Sequence, residues 1–369
     1  MWSSLNWVSN RMRWQDYVLA YDDEVPSLLL ASGVLTRSTT LVIGAGFDPR
    51  ALVGLRVLAG AGLGTHARVA LLELPAGHGE ARATALAAEN ATSLNDLCSK
   101  TGWSIERVPF PDTSNRRTAG QVVSRQLQSG GLIDPNGIVI VDISALPTYM
   151  AFPVIGGVLA ATDSGAFHGD LLTLVCENPE IDLCIVEEGA SDPGPVAGFN
   201  FGITESTRTT IRVWAPVLGE GQAEQLEAIH GYLDPDEITP ILPFPAANPR
   251  RADDLIVELR SLLFDRMAVE PGNFIYAHEA NPFDVYRSLW HLSDRLQRAL
   301  EPLGGATVTT SLHGSKMLSM GALLASWERK LPVVAAVPTD YAITAGVDLA
   351  SLTNRNRLAC LWLVGEPYR

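Results

Sequence analysis

A glycine-rich turn follows the first strongly apolar segment of the chain. The sequence LVIGAGFDPRA, residues 41–51, places Gly44 and Gly46 after a predicted strand and Pro49 at the predicted start of a helix. Glycine allows the backbone to approach a ligand closely, and the free amides at a helix start bind anions. The full pattern GxGxxG is absent, because Pro49 stands where the third glycine would be. The turn therefore predicts an anion-binding loop, with a purely structural strand-to-helix turn as the alternative.

An acidic residue lies at the end of the next predicted strand. Glu73 stands within the segment LLELP. In dinucleotide-binding folds a carboxylate at this point of the chain accepts hydrogen bonds from ribose hydroxyls. The glycine turn and Glu73 together therefore favour a nucleotide site more than either feature does alone.

Asp142 and Ser144 follow the apolar segment IVIV. In doubly wound sheets, side chains just beyond the carboxyl ends of the strands are the ones that contact ligands. We therefore predict that Asp142 and Ser144 bind a ligand, and the alternative is that one of them caps a helix beginning near Pro147. Ser144 lacks the GxSxG surroundings of a hydrolase nucleophile.

A second glycine-marked turn lies near the C-terminus. Residues 307–320, TVTTSLHGSKMLSM, predict a strand, a turn that contains Gly314 and Ser315, and a helix that starts near Lys316. Backbone amides at such a helix start donate to anions, and Lys316 adds a point charge. The pattern predicts a second anion-binding loop, although a solvated lysine in the first helical turn is the alternative. It is not a Walker A loop, because GxxxxGK is absent.

His278 ends the predicted strand NFIYAH, and Asp284 and Arg287 follow it. If these residues converged with Lys316 at one sheet edge, acid–base chemistry would be within reach of Asp142, His278 and Lys316. A single histidine at a strand end is, however, also a common hydrogen-bonded structural residue.

Apolar runs of strand length alternate with helix-length segments along most of the chain. Their positions are 40–44, 69–74, 104–108, 138–143 and 171–176, then 210–214, 238–242, 273–278, 307–312, 333–337 and 358–364. Long crossovers between strands are what parallel neighbours require. We therefore predict an α/β protein made of two Rossmann-like, mostly parallel, doubly wound halves.

The two series give the predicted domains. The N-terminal half covers residues 1–190 and carries an aromatic N-terminal segment with Trp2, Trp7 and Trp14, which we expect to pack on its own domain. The C-terminal half covers residues 207–369. The Gly- and Pro-rich residues 187–206 predict a linker or a loop over the cleft.

Composition limits the classes of function. The formal net charge of -14 over 369 residues disfavours generic nucleic-acid binding. No apolar run is long enough to span a membrane, and the four cysteines are separate, so we expect a cytoplasmic protein without disulfides. The histidines lack metal-ligand spacing, and we predict no tightly bound metal.

The segments GAGFDPRA and LLELP resemble the first motif and the acidic second strand of leucine carboxyl methyltransferase-like enzymes. Those enzymes bind S-adenosylmethionine. The resemblance, which covers residues 41–75, implies that Gly44, Gly46 and Asp48 line the methionine end of that cofactor and that Glu73 holds its ribose.

A longer pattern of GFDPR, then DISxLP, then GSKM resembles uncharacterised Rossmann-like proteins of bacterial anti-phage defence islands. Its marked positions are Asp48, Arg50, Asp142, Ser144, Gly314 and Lys316. The GSKM turn is also similar to the GTK-type turn of CARF domains, which sense cyclic oligonucleotides. These resemblances imply a role in defence and name no reaction.

Three hypotheses follow. The first is a component of a bacterial defence system that binds an anionic, nucleotide-like small molecule and acts with a partner protein or as a homo-oligomer. The second is a methyltransferase that uses S-adenosylmethionine. The third is a nucleotide hydrolase or nucleosidase that acts through Asp142, His278 and Lys316.

Overall fold

The computed structural model describes residues 11–74, 81–111, 116–189, 191–201 and 210–369. The protein is α/β, and two large, mostly parallel sheets carry the strands of the two halves. This confirms the predicted fold class.

The first sheet is built mainly from the N-terminal half. Its strands from this half are β1 (Val18–Tyr21), β2 (Thr39–Ala45), β3 (Ala67–Glu73), β4 (Ser104–Val108), β5 (Ile138–Asp142) and β6 (Asp170–Glu177). From β2 to β6 all pairings are parallel, in the order β4-β3-β2-β5-β6. The chain therefore reverses its direction of winding between β2 and β5, which is where doubly wound sheets place their ligands.

Helices connect these strands. They are α1 (Val25–Ala31), α2 (Val53–Gly60), α3 (Ala81–Thr101), α4 (Arg116–Ser129), α5 (Thr148–Asp163) and the single turn α6 (Pro179–Asp182). Of these helices, α5 is buried along most of its length.

The second sheet repeats the same order. Its strands are β8 (Gly194–Pro195), β9 (Ile211–Val217), β10 (Glu237–Ile238), β11 (Ile241–Pro243), β12 (Ile275–Ala277), β13 (Ala306–Leu312) and β14 (Val333–Ala335), and its helices are α7 (Ala223–Leu233), α8 (Arg251–Glu258), α9 (Pro282–Leu300) and α10 (Lys316–Arg329). The parallel strands run β12-β11-β9-β13-β14, so the winding reverses between β9 and β13.

The chain's last strand corrects the predicted division into halves. We expected 358–364 in the second series, but β16 (Arg357–Val364) lies in the first sheet, antiparallel to both β1 and β6. Residues from both ends of the chain thus build the first sheet. An apolar run has the same pattern in either sheet and in either direction, so hydrophobicity alone cannot assign its partner.

The segment predicted as a linker or cleft loop also contributes strands. β7 (Ile185–Glu188) pairs antiparallel with β15 (Asp340–Ile343) in a two-stranded ribbon, and β8 adds to β14. Residues 190 and 202–206 of that segment lie outside the described residues. The ribbon thus pairs a chain segment that precedes the strands of the second sheet with one that follows them.

One hydrophobic core extends through both halves, and it includes buried residues of α5 and α10. The N-terminal segment belongs to it: Trp14 is fully buried, donates from Nε1 to the carbonyl of Leu363 at 2.8 Å and packs edge-on against Tyr286 of α9. Trp14 therefore packs into the core, but it contacts both halves and not only the N-terminal domain on which we expected it. Trp2 and Trp7 lie outside the described residues.

Candidate functional site

The turn after β2 contains a buried ion pair. Asp48 caps a short 3-10 helix, and its carboxylate accepts from Arg50 Nη2 at 2.8 Å and from Arg50 Nε at 3.0 Å. Arg50 also donates from Nη1 to Asp182 of α6 at 2.6 Å. Burial alone would raise the pKa of Asp48, but Arg50 lowers it below its usual range. Asp48 and Arg50 therefore satisfy each other and fix the shape of the turn.

The predicted glycines allow loops to pack closely. A Cβ on Gly44 would lie 2.7 Å from the side chain of Leu146, and one on Gly314 would lie 3.0 Å from the carbonyl of Leu218. Around Gly46 the nearest atom, on Leu74, is 3.9 Å away. The backbone of Leu218 crowds Gly314, the movable end of the Leu146 side chain crowds Gly44, and Gly46 has room beside it.

Glu73 pairs with Arg107 of the adjacent strand β4, at 3.2 Å, and close to half of its side chain is exposed. An exposed pair of this kind contributes little to stability. The Glu73 carboxylate therefore binds Arg107, on the side of β3 that faces away from β5.

Asp142 and Ser144 lie at the reversal point of the first sheet, and both are buried. Asp142 Oδ1 accepts from the Ser144 amide at 2.9 Å, and Ser144 Oγ accepts from the Cys176 amide at 2.8 Å. Asp142 Oδ2 has no hydrogen-bond partner among the described residues. Burial raises the pKa of Asp142 to about 6. Neither residue caps α5, whose N-cap is Pro147.

Lys316 connects the two reversal points. It is the first residue of α10, where Ser315 is the N-cap, which confirms the predicted helix start. The Lys316 ammonium reaches the other half and donates to the carbonyl of Ser144. Burial and the nearby Arg50 lower the pKa of Lys316 to about 8, although Asp48, Asp182 and Asp142 act in the opposite direction. Asp142 and Ser144 of the first half and Lys316 of the second thus meet at one place.

Two carboxyl groups that the sequence did not single out belong to the same region. Glu177 ends β6, and burial raises its pKa to about 7. Glu187 of the ribbon accepts from Gln222 Nε2 at 3.1 Å, and burial raises its pKa too, while Lys316 lowers it. Glu177 ends β6 just as Asp142 ends β5, so the position at the end of an apolar run could have identified it from the sequence.

His278 does not join Lys316. It is exposed and follows β12, which is the edge strand of the second sheet and lies three strand spacings from β13. At about 4.8 Å for each spacing, the separation is about 14 Å. The His278 amide donates to Asp284 at 3.1 Å, and its Nδ1 accepts from the Ala280 amide. The proposed trio is therefore not assembled: Asp142 and Lys316 lie together and His278 lies apart.

A second buried group of charges lies at the ends of the second sheet's strands. Arg251 donates to both oxygens of Glu220, at 2.7 and 2.8 Å, and also contacts Glu279. The other oxygen of Glu279 accepts from the Ala247 amide at 2.7 Å. Each carboxylate contacts the same arginine, so the contacts are typical of a structural ion-pair network.

A surface groove of about 800 Å³ runs along α9, apart from these clusters. Charged and apolar side chains line it: Ile275, Asp284, Arg287, Ser288, His291, Leu292, Asp294, Arg295, Arg298 and Ala299. None of the predicted binding residues is among them. This groove and the residues predicted to bind a ligand are therefore in different places.

Within the described ranges, no set of three or more His, Cys, Asp or Glu side chains is arranged to hold a metal ion. In that same part of the chain, no helix has both the length and the apolar character needed to cross a membrane.

Comparisons with known proteins leave the family open. No family model matches the chain, and no curated protein is significantly similar to it. Among solved structures, one described as a universal stress protein of Pseudomonas aeruginosa UCBPP-PA14 aligns with 87% of this chain and 98% of its own, at 13% identity and a TM-score of 0.23. A TM-score this low supports no inference about function.

Proposed function

We propose that this protein binds a nucleotide-like small molecule between its two halves, at the turns that carry Asp142, Ser144 and Lys316. One observation carries the proposal: Lys316 of the second half donates to the Ser144 carbonyl of the first. Ser144 follows β5 and Lys316 follows β13, the strands at which the winding of each sheet reverses. Ligands of doubly wound proteins bind at such points.

The charges around Lys316 favour a ligand with both an anionic group and hydrogen-bonding hydroxyl or amino groups. The lysine is a point charge for the anion. Asp142 and Glu177 have pKa values of about 6 and 7, so each is present in neutral and ionised forms near neutral pH. Such carboxyl groups can donate or accept hydrogen bonds. A nucleotide with few phosphates suits this mixture better than a long polyphosphate, which the carboxylates would repel.

Native mass spectrometry of the purified protein and calorimetric titration test the proposal. The titrations use mononucleotides, cyclic oligonucleotides and S-adenosylmethionine. We expect a nucleotide to bind and Lys316→Met to weaken it about 10- to 100-fold, because hydrogen bonds to charged groups contribute about 1.5–3 kcal/mol. Lys100→Met, an exposed lysine of α3, is the matched control. Equal affinity in the wild type and Lys316→Met would refute the assigned site, and binding of S-adenosylmethionine alone would favour the methyltransferase hypothesis.

We further propose that ligand binding changes assembly with a partner protein in anti-phage defence, a role that rests on the sequence resemblance alone. Plaque formation on cells that carry the wild type with its gene neighbours, or the Lys316→Met variant, tests it. We expect protection only from the wild type. Equal numbers of plaques in both strains and in cells without the gene would remove the defence role and leave the binding proposal intact.

A further inference from the structure

Glu177 makes a contact between the halves that involves the start of α10. Its Oε1 accepts from the amide of Met317 at 3.0 Å, and its carboxylate also accepts from the Ser315 side chain. The first amides of a helix are where an external anion binds. In this protein a carboxylate from the first half lies at that position.

We propose that Glu177 is a latch, an internal anion that holds the two halves together over the site and that an anionic ligand must displace from the start of α10. The displacement step rests on the proposed function; the latch itself does not. Glu177 differs from Asp142 and Lys316 in its role: it regulates access to the helix start.

The surroundings of Glu177 explain why the latch can open. Asp182 of α6 and Glu279, which follows β12, are like charges that disfavour its ionised form. Tyr21 of β1 is also near, and its buried hydroxyl has no hydrogen-bond partner among the described residues. Arg357, the residue of β16 in register with Glu177, lies over the Tyr21 ring. The carboxylate is therefore held by hydrogen bonds to α10, against repulsion from its neighbours.

The latch is connected to the rest of the site through the chain that follows it. Residues 178–188 contain Asp182, which pairs with Arg50, and Glu187, which lies in the electrostatic field of Lys316. A movement of Glu177 away from α10 would therefore shift both groups. Since burial places the pKa of Glu177 near 7, the carboxylate gains a proton and the latch weakens as the pH falls from 8 to 6.

Hydrogen exchange on the ligand-free protein tests the latch directly. A neutral acceptor holds an amide less well than a carboxylate, so we expect peptides that contain Met317 to exchange about fivefold faster in Glu177→Gln than in the wild type at pH 8. The wild type at pH 6, corrected for intrinsic rates, should approach the variant. Glu188→Gln, on an exposed glutamate of β7, should match the wild type. Identical exchange in Glu177→Gln and the wild type at both values of pH would overturn the latch.

Titration with adenosine monophosphate separates the latch from the proposed function. If the nucleotide displaces Glu177, Glu177→Gln should bind it about fivefold more tightly than the wild type at pH 8, and this difference should shrink at pH 6. Comparison of the two proteins at one pH cancels the titration of Lys316, whose pKa is about 8. Binding that is unaffected by Glu177→Gln overturns displacement and leaves the proposed function standing. Accelerated exchange in Glu177→Gln without any nucleotide binding supports the latch as a contact between the halves and counts against the proposed function.

Discussion

Two buried groups of charge lie at strand ends of this protein, and they are balanced in opposite ways. In the structural cluster of Arg251, Glu220 and Glu279, burial would raise the pKa of Glu220, but its contacts with Arg251 lower it below the usual range. In the site cluster of Asp142, Glu177 and Lys316, burial dominates, and each pKa moves toward the value that favours the neutral form.

The opposite directions of these pKa shifts indicate which cluster stabilises the fold. A group whose pKa moves toward neutrality inside the protein lowers the stability of the folded state at neutral pH. Groups of this kind collect at functional sites, although ion-pair networks also perturb pKa values. The structural cluster contributes to stability, whereas the site cluster costs stability, which is the pattern that functional sites show.

The largest effect is expected in the structural cluster. Arg251→Met should lower the free energy of unfolding by about 3 kcal/mol, because Glu279 would remain buried without its cation. Arg250→Met is a close control, since Arg250 is exposed and pairs with Asp254 only at 3.9 Å; it should cost less than about 0.5 kcal/mol. Urea denaturation measures both. Equal effects of the two substitutions would show that the structural cluster contributes no more than a surface pair.

In the site cluster, removal of a charge should stabilise the folded protein. Lys316→Met should raise the free energy of unfolding at pH 7 by about 2 kcal/mol, because methionine fills the same space without a buried charge. The folded pKa of about 8 lies below the ordinary 10.5, so the unfolded chain binds more protons between these values. The wild type should therefore gain stability as pH rises from 8 to 10, and the gap to Lys316→Met should shrink. A less stable Lys316→Met at pH 7 would contradict the comparison.

Replacement of Asp142 should change the free energy of unfolding by a smaller amount. Its folded pKa of about 6 exceeds the ordinary 3.8, so the folded protein binds more protons in this window and loses stability as pH rises through it. Asp142→Asn should remove that loss and be about 1 kcal/mol more stable at pH 8, and the advantage should vanish near pH 4. Thermal unfolding between pH 4 and pH 8 measures the slope. The same slope in the variant and the wild type would show that Asp142 is not the responsible group.

Much of the fold could be predicted from the sequence. The runs at 104–108 and 307–312 match β4 and β13 closely, because alternating apolar strands and helices leave few other arrangements. The location of β16 in the first sheet could not be predicted, since pairing partners distant in sequence leave no local signal. The ribbon of β7 and β15 was missed for another reason. Its strands are half-buried and carry charged residues, so their sequences resemble loops.

The candidate site was predicted in part. The position after a strand identified Asp142, Ser144 and Lys316, and the structure brings them together. The contact between the halves depends on how two sheets pack, which no local pattern reveals. The pairing of Asp48 with Arg50 was likewise hidden, because two oppositely charged residues two positions apart can face a ligand or each other.

The smallest effect is expected at His278, and it tests the spatial separation of the second sheet's edge from the site cluster. His278 is exposed, and water can replace its Nδ1 as the acceptor for the Ala280 amide. His278→Ala should change the free energy of unfolding by less than about 0.5 kcal/mol. It should also leave nucleotide affinity unchanged in the titration that detects Lys316→Met. If His278→Ala weakened binding as much as Lys316→Met does, the ligand would have to span about three strand spacings, and the site would extend along the whole strand-end face of the second sheet.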